Sequence, residues 1–489
     1  MCDKTAIFEA SSYMLKAEAN FMLKLIFRQV LLACGTGLLF ILVFSLFQNE
    51  KIYDSSLGKI SSNYERSGVK RDVQILNVHK PYNRFNNATL NHWDAVLYKE
   101  VRDHAYETGT GFAKEKLAFY PLFPLIWRLS HADSECIVFC NYVLFILGLI
   151  LLSMLLNGLT SGSLVYLLIG ILVPTAATYY LPYAESLFLF TMAIAVWGIL
   201  KQKYWIYFAG AMLFCMTRPS AMIFMVALLA ADGIYFIRHR NPVHFLRDFS
   251  KKIAPCIAGL GAVILVQYLY SGSWTAYFDS MDLWPAESGF FNLITDWSRE
   301  GFGMSVFSIF FLSLPALIYL IFWAFQSVRT RTKHPAVSLF GTDREAQKDY
   351  LFHVSLLFIA GNLAYTFLTS GNVLNGFSRY TMAVPFFYIV LFLLPDKIRS
   401  LPAWVKLLFF CLCFSGLSLF LHFVVYGGER LQFANVGLLL SVTLALFLLF
   451  EAHLSGRAKW IILVVISIPC IIWQTYLFNM FLADAWIFT

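Results

Sequence analysis

The feature that most constrains this chain is a succession of apolar runs, most of them near 20 residues long, separated mainly by short polar loops. The candidate spans are 24–48, 137–156, 163–181, 184–200, 204–217, 219–237, 252–271, 304–326, 350–369, 380–395, 403–425, 431–451 and 458–482. A helix crosses the hydrocarbon core of a bilayer with about 20 apolar residues. Inside that core every backbone N–H and C=O must find its partner within the segment. The chain therefore reads as an all-α polytopic membrane protein, a bundle of about 11–13 transmembrane helices. Composition agrees: 59% of the 489 residues are hydrophobic and 13% are charged. Soluble domains carry about half apolar and about a quarter charged residues. The abundance of Phe suits lipid-facing helix surface, and Tyr and Trp suit the interfaces.

Two junctions stand out. Leu181-Pro182-Tyr183 makes a tight turn between the third and fourth runs, and Thr217-Arg218-Pro219 joins the short fifth and sixth. The fifth and sixth are either a crossing pair or a re-entrant hairpin. The first run begins near Leu23 without a small-residue cleavage site after it, and reads as a signal anchor.

Lys and Arg in short loops set the orientation. With a cytoplasmic N-terminus, Lys201, Lys203, Arg238, Arg240, Arg247, Lys251, Lys252, Arg329, Arg331, Lys333, Arg344, Lys348, Lys397, Arg399, Arg457 and Lys459 fall on the cytoplasmic side. The short loops of the other side hold only Arg299, Arg379 and Arg430. The net charge of +8 is accounted for in this way, so no nucleic-acid partner is implied. Three parts follow: a cytoplasmic N-terminus with the first helix (1–48), a long luminal loop (49–134), and a multi-span bundle (135–489) with a cytoplasmic loop at 327–349. The stretch 272–303, with Trp274, Trp284 and Trp297, reads as lying on the membrane surface. The sequon Asn87-Ala88-Thr89 is a candidate glycosylation site, and such sites are used only in the lumen. The Cys residues are scattered without metal spacing or a disulfide framework.

Ionisable residues at membrane depth or at its edge are the default functional candidates. The densest group is in the first luminal loop: His92, Trp93 and Asp94, then Lys99, Arg102, Asp103, His104 and Tyr106. Asp94 reads either as a general base among aromatic side chains or as a solvated carboxylate beside a membrane-anchoring Trp. The apolar stretch Phe119-Tyr120-Pro121-Leu122-Phe123-Pro124 is an interfacial segment or the lead-in to a helix. Arg218 is flanked by apolar runs and is costly there unless paired. Arg379 is a phosphate ligand or an interfacial snorkelling residue. Glu185 is a helix N-terminal carboxylate or a partner for an arginine or a sugar hydroxyl. His422 reads as a packing histidine. No Gly-rich phosphate loop, HExxH or DxD-like pair is present, so no metal is implied.

At His92-Trp93-Asp94-Ala95, Tyr106 and Ala118-Phe119-Tyr120-Pro121-Leu122-Phe123-Pro124 the chain resembles the GPI mannosyltransferase 2 family, enzymes of GT-C architecture. The resemblance extends to Thr217-Arg218-Pro219-Ser220 and Phe377-Ser378-Arg379-Tyr380. It implies a multi-pass endoplasmic reticulum membrane enzyme with no cofactor beyond its donor substrate, dolichyl phosphate mannose. The reaction it implies is addition of the second, α-1,6-linked mannose to a GPI-precursor acceptor, with scope for an accessory membrane subunit. Within that resemblance Asp94 is the inverting general base, Arg218 and Arg379 hold the leaving phosphate, Trp93 shapes the sugar pocket, His92 orients the loop, and Tyr120 and Glu185 belong to the substrate site. The chain departs from the pattern in three places. Ala105 stands before Tyr106 where a Gly is expected, Thr108-Gly109-Thr110-Gly111 lengthens the following gap, and 49–90 is long. Another dolichyl-phosphate-sugar-dependent GT-C transferase and a polytopic lipid transporter or scramblase remain open as alternatives.

Overall fold

The structure is a computed structural model that describes residues 4–49, 51–52, 85–107, 115–158, 162–239, 242–281, 308–329, 343–369, 377–399, 401–420, 440, 443–444, 455–482 and 484, the side chains of 4–19, 162, 238, 239, 244, 327, 328, 396, 399 and 420 excepted. Every element among these residues is helical. In chain order they are α1 (Lys4–Phe47), α2 (Asp94–His104), α3 (Leu122–Ser130), α4 (Ser134–Asn157), α5 (Gly162–Leu172), α6 (Glu185–Leu200), α7 (Tyr204–Cys215) and α8 (Ala221–His239). They continue as α9 (Pro242–Ser271), α10 (Ala276–Met281), α11 (Leu314–Arg329), α12 (Arg344–Thr369), α13 (Phe377–Met382), α14 (Pro385–Arg399), α15 (Ala403–Phe420) and α16 (Gly456–Leu482).

Six of these helices are long and apolar enough to cross a membrane, or seven if a bent pair is one span. Five shorter apolar helices, among them α6, α7 and α8, accompany them. Each expected span coincides with one of these helices except 431–451, which lies almost wholly outside the described residues. Also outside them are 53–84, Thr108–Gly111, Trp284, Trp297, Arg299, residues 330–342, His422 and Arg430. The chain is an all-α polytopic membrane protein.

Two expected spans are broken, each at a proline. The run 163–181 bends by 77° between Ser163–Leu172 and Pro174–Tyr180. A proline donates no backbone hydrogen bond and clashes with the preceding turn, so the chain restarts as a 3-10 segment. The run 380–395 is α13 followed by α14, which starts at Pro385. Proline at a helix start fits because that N–H has no intrahelical acceptor anyway. Both breaks leave polar side chains near the same end of the bundle.

The tightest helix pair is α6 with α7. A Cβ on Gly210 would stand 2.5 Å from the Ala195 nitrogen, and one on Gly198 would overlap the Tyr207 backbone. In lipid, apolar side chains gain little by leaving the bilayer, so close approach at small residues drives such packing. The core surrounds these helices with Phe188 stacked on Phe214 at 4.1 Å and Phe358 on Phe386 at 3.9 Å. Away from the α6 N-terminus, a buried polar knot ties α8, α9 and α12 together. Lys252 Nζ is 2.6 Å from Asp232 Oδ1, Tyr350 Oη donates to the same oxygen at 2.7 Å, and Tyr207 Oη donates to the Lys252 carbonyl at 2.6 Å.

The described parts of the first polar loop, 85–107 and 115–133, are tied to the bundle. Tyr106 Oη donates to the Phe119 carbonyl at 2.7 Å, and Gln267 of α9 donates to the Leu117 carbonyl at 2.7 Å. The Leu122 N–H donates to the Met216 carbonyl at 3.2 Å, which fixes α3 against the α7–α8 turn. Asp133 caps α4 by accepting from the Cys136 N–H at 2.8 Å, and that bond holds its carboxyl below the usual range.

Candidate active site

Four sequence candidates, drawn from four parts of the chain, meet in one cluster. Asp94 is the first residue of α2, Glu185 the first of α6, Arg218 lies between α7 and α8, and Arg379 is in α13. Arg379 Nη1 donates to Asp94 Oδ2 at 2.6 Å, and its Nε donates to Glu185 Oε1 at 2.5 Å. Arg218 Nη1 lies 2.6 Å from the same Glu185 oxygen, off the N–H axis, so that contact is an ion pair without a directed hydrogen bond. The order in space is Asp94, Arg379, Glu185, Arg218, with signs alternating and formal charges summing to zero.

Burial is graded along this row. The side chains of Glu185, Arg379 and Arg218 are 0%, 2% and 7% exposed, whereas Asp94 is 22% exposed. A buried charge is tolerated only when paired and hydrogen-bonded. The two arginines and Glu185 supply that for one another, and Asp94 remains the member reachable from outside. This answers the alternatives left open for two residues. Arg379 is a buried, doubly engaged cation and does not snorkel. Glu185 begins α6, as a helix N-terminal carboxylate should, and is also the shared partner of both arginines.

Local structure explains the placement. The Tyr183 N–H donates to the Leu181 carbonyl at 2.7 Å, closing a three-residue turn around Pro182. Asn141 of α4 donates to the carbonyls of Leu181 and Tyr183, the latter at 3.0 Å. That turn sets Glu185 at the head of α6 and puts the Tyr183 ring 4.6 Å from the Arg379 guanidinium. Cation–π contact of this kind favours the charged arginine. Arg218 has the rings of Phe188 and Tyr380 at 5.9 and 6.0 Å. Tyr98 of α2 stands edge-on to Phe119 and Phe123 at 4.9 and 5.1 Å, closing the apolar wall below Asp94.

Trp93 immediately precedes Asp94 with φ 52° and ψ −129°, a conformation that L residues with side chains rarely adopt. Such strain persists only where the surroundings over-determine it, and it concentrates at functional sites. The Trp93 ring is 36% exposed beside Asp94. His92 faces Phe481 of α16 edge-on at 6.0 Å, and its Nδ1 lies 3.2 Å from Asp484 Oδ1. Ala105, at the other end of α2, has φ 50° and ψ −136°. It is the position where the resemblance calls for Gly, and the backbone there has the geometry Gly tolerates best.

Two further candidates have contacts of their own. Tyr120 is buried edge-on to Tyr277 of α10 at 5.6 Å. Asn87 is exposed. It accepts from the Glu135 N–H at 3.2 Å and donates to Asp133 at 3.4 Å, so it supports the start of α4. Tyr183, Asn141 and Asp484 were not singled out from the sequence. Asn141 carried a signal, as a lone amide inside an apolar span. Tyr183 carried one as the residue between the Pro turn and Glu185.

Among the described residues no group of His, Cys, Asp or Glu is arranged to hold a metal ion. The chain matches no family model, no curated protein and no solved structure.

Proposed function

We propose that this protein is a glycosyltransferase of the endoplasmic reticulum membrane that takes mannose from dolichyl phosphate mannose and adds it, α-1,6-linked, to a GPI precursor on the luminal side. The observation that carries the reading is the row of Asp94, Arg379, Glu185 and Arg218 at the N-terminal ends of α2 and α6, with the carboxylate at its exposed end. A lipid-linked donor puts its phosphate at the membrane edge and its sugar just beyond. A site for it needs a buried cationic arm beside a more accessible base.

The donor is β-linked and the product α-linked, so a single displacement suffices. The 6-hydroxyl oxygen of the acceptor mannose attacks the anomeric carbon as its proton passes to an Asp94 oxygen. The bond from the anomeric carbon to the phosphate oxygen breaks, and dolichyl phosphate departs with that electron pair. Arginine charge beside the departing phosphate stabilises the transition state. A positioned carboxylate base is worth roughly 100- to 10,000-fold in rate. Trp93, strained and half-open beside Asp94, is placed to contact sugar.

The test is an Asp94→Asn variant expressed in cells that lack the protein. The expected result is normal abundance, no GPI-anchored proteins at the surface, and accumulation of a precursor with a single mannose. Full restoration at normal abundance would remove Asp94 from the reaction. Accumulation of a different lipid-linked glycan would move the reading to another dolichyl-phosphate-sugar transferase.

A further inference from the structure

We infer that the two arginines have different tasks: Arg218 is the cation that binds phosphate, and Arg379 is the positioning residue of Asp94. The anion site rests on geometry alone. The part played by Arg379 in turnover rests on the transferase reading above.

A guanidinium offers five N–H donors in a planar fork. Those of Arg379 are engaged on two edges, Nε with Glu185 at 2.5 Å and Nη1 with Asp94 at 2.6 Å, while its face lies on Tyr183. Taking up phosphate there would mean giving up the carboxylate that the same reaction uses. Arg218 is the opposite case. Its side chain is 7% exposed, yet its only charged partner among the described residues is one Glu185 oxygen. Among the described residues its Nη1 makes no directed hydrogen bond, the 2.6 Å approach to Glu185 being ionic. A buried guanidinium with a single ionic contact is less fully compensated than one with two directed bonds, and an anion would complete it.

The surroundings fit a phosphate ester. The fork of an arginine matches two phosphate oxygens in one plane. Phe188 and Tyr380 flank the guanidinium and exclude water, which strengthens such a pair. The Leu122–Met216 backbone bond holds the first polar loop beside Arg218, so the anion lies under the same loop that carries Asp94. Glu185 shares one oxygen between both cations and keeps them apart in position while joining them in charge. Its second oxygen, Oε2, is buried and accepts no hydrogen bond among the described residues.

The experiment measures binding of polyprenyl phosphate to the full-length protein in detergent micelles, with the uncharged polyprenol as control and inorganic phosphate as a second probe. Arg218→Gln is expected to weaken polyprenyl phosphate at least tenfold, about 1.4 kcal/mol, and Arg218→Lys less. Arg379→Lys is expected to keep the Kd within about twofold. In turnover it should lower kcat at nearly unchanged donor KM and displace the acid limb of the pH–rate profile. An Arg218-dependent effect of inorganic phosphate identifies the bare anion as sufficient. Dependence seen only with the polyprenyl ester identifies the lipid headgroup, and both results support the site. Equal loss of binding in Arg379→Lys and Arg218→Gln, or none in Arg218→Gln, overturns the division. If Arg218→Gln does not fold, Arg218→Lys against Arg379→Lys decides by the same comparison. Arg218-dependent binding without transferase turnover in the wild type would sink the transferase reading and leave the anion site standing.

Discussion

Arg379 Nη1 lies 2.6 Å from Asp94 Oδ2 although 285 residues separate them in the chain. A polar-loop residue outside the bundle is thereby tied to a buried cation at its edge. The tie continues through Glu185 to Arg218, which joins the four residues in charge.

Glu185 is the member with most to lose. Removing one partner of a buried ion pair leaves the other charge unpaired and costs about 3–5 kcal/mol. Glu185→Gln takes the carboxylate from Arg218 and leaves Arg379 with Asp94 alone, and is expected to lower the thermal unfolding temperature in detergent by the largest margin of any single change in the row. In Glu185→Gln/Arg218→Gln one stranded charge is gone, so the double variant should be less destabilised than the two single losses added together. Strict additivity would mean that the pair is not coupled.

Ala105 has φ 50°, where glycine is at ease and alanine is not. Backbone strain of this kind costs roughly 1–3 kcal/mol. Ala105→Gly is expected to raise stability by about 1 kcal/mol, after allowing for the freedom glycine gains in the unfolded chain. Differential scanning fluorimetry of the purified protein reads this directly, and a fall in the midpoint would refute the strain.

Gly198 and Gly261 form a matched pair. A Cβ at Gly198 would overlap the Tyr207 backbone, and one at Gly261 of α9 meets nothing within 4 Å. Gly198→Ala should separate α6 from α7 and displace Glu185 at the head of α6, with loss of about 1–3 kcal/mol. Gly261→Ala should be neutral or stabilising by up to about 1 kcal/mol. Size-exclusion profiles of the two variants compare them, and equal behaviour would contradict the close approach.

Asp103 governs the acid sensitivity of the first polar loop. Partial burial works against its charge, but hydrogen bonds from Arg102 at 2.6 Å and Lys99 at 2.9 Å hold its carboxyl below the usual value. A carboxyl depressed in the folded state stabilises fully above its unfolded pKa of about 3.9 and loses that contribution as pH falls through the folded value. Amide exchange across 94–107 should therefore quicken as pH drops below about 4 relative to Asp103→Asn, after correction for intrinsic rates. An identical pH course in both proteins would exclude the effect.

Hydropathy made the architecture legible, because lipid imposes one length and one polarity on each crossing segment. It did not show where Pro174 and Pro385 break their spans, since both lie in runs that stay apolar through the break. Asp94, Glu185, Arg218 and Arg379 were legible as candidates because charge near hydrocarbon is conspicuous. Their pairing was not. Hydropathy gives depth along a helix and says nothing about which neighbour a side chain faces, so the shared oxygen of Glu185 and the saturation of Arg379 emerge only in three dimensions. The same blindness hid the contact of His92 with Asp484 and the Asp232–Lys252–Tyr350 knot. The packing of the Tyr120 ring on Tyr277 was equally hidden.

The row of alternating charges also sets a timetable for synthesis. At about 5–20 residues per second, Arg218 follows Glu185 out of the ribosome within a few seconds, so the innermost pair can close early. Asp94 waits for Arg379, 285 residues later, which is roughly 15–60 s. During that interval Asp94 is without the guanidinium it pairs with in the finished fold. A chain cut short before Arg379 therefore carries Asp94 without that partner, however complete its first helices are.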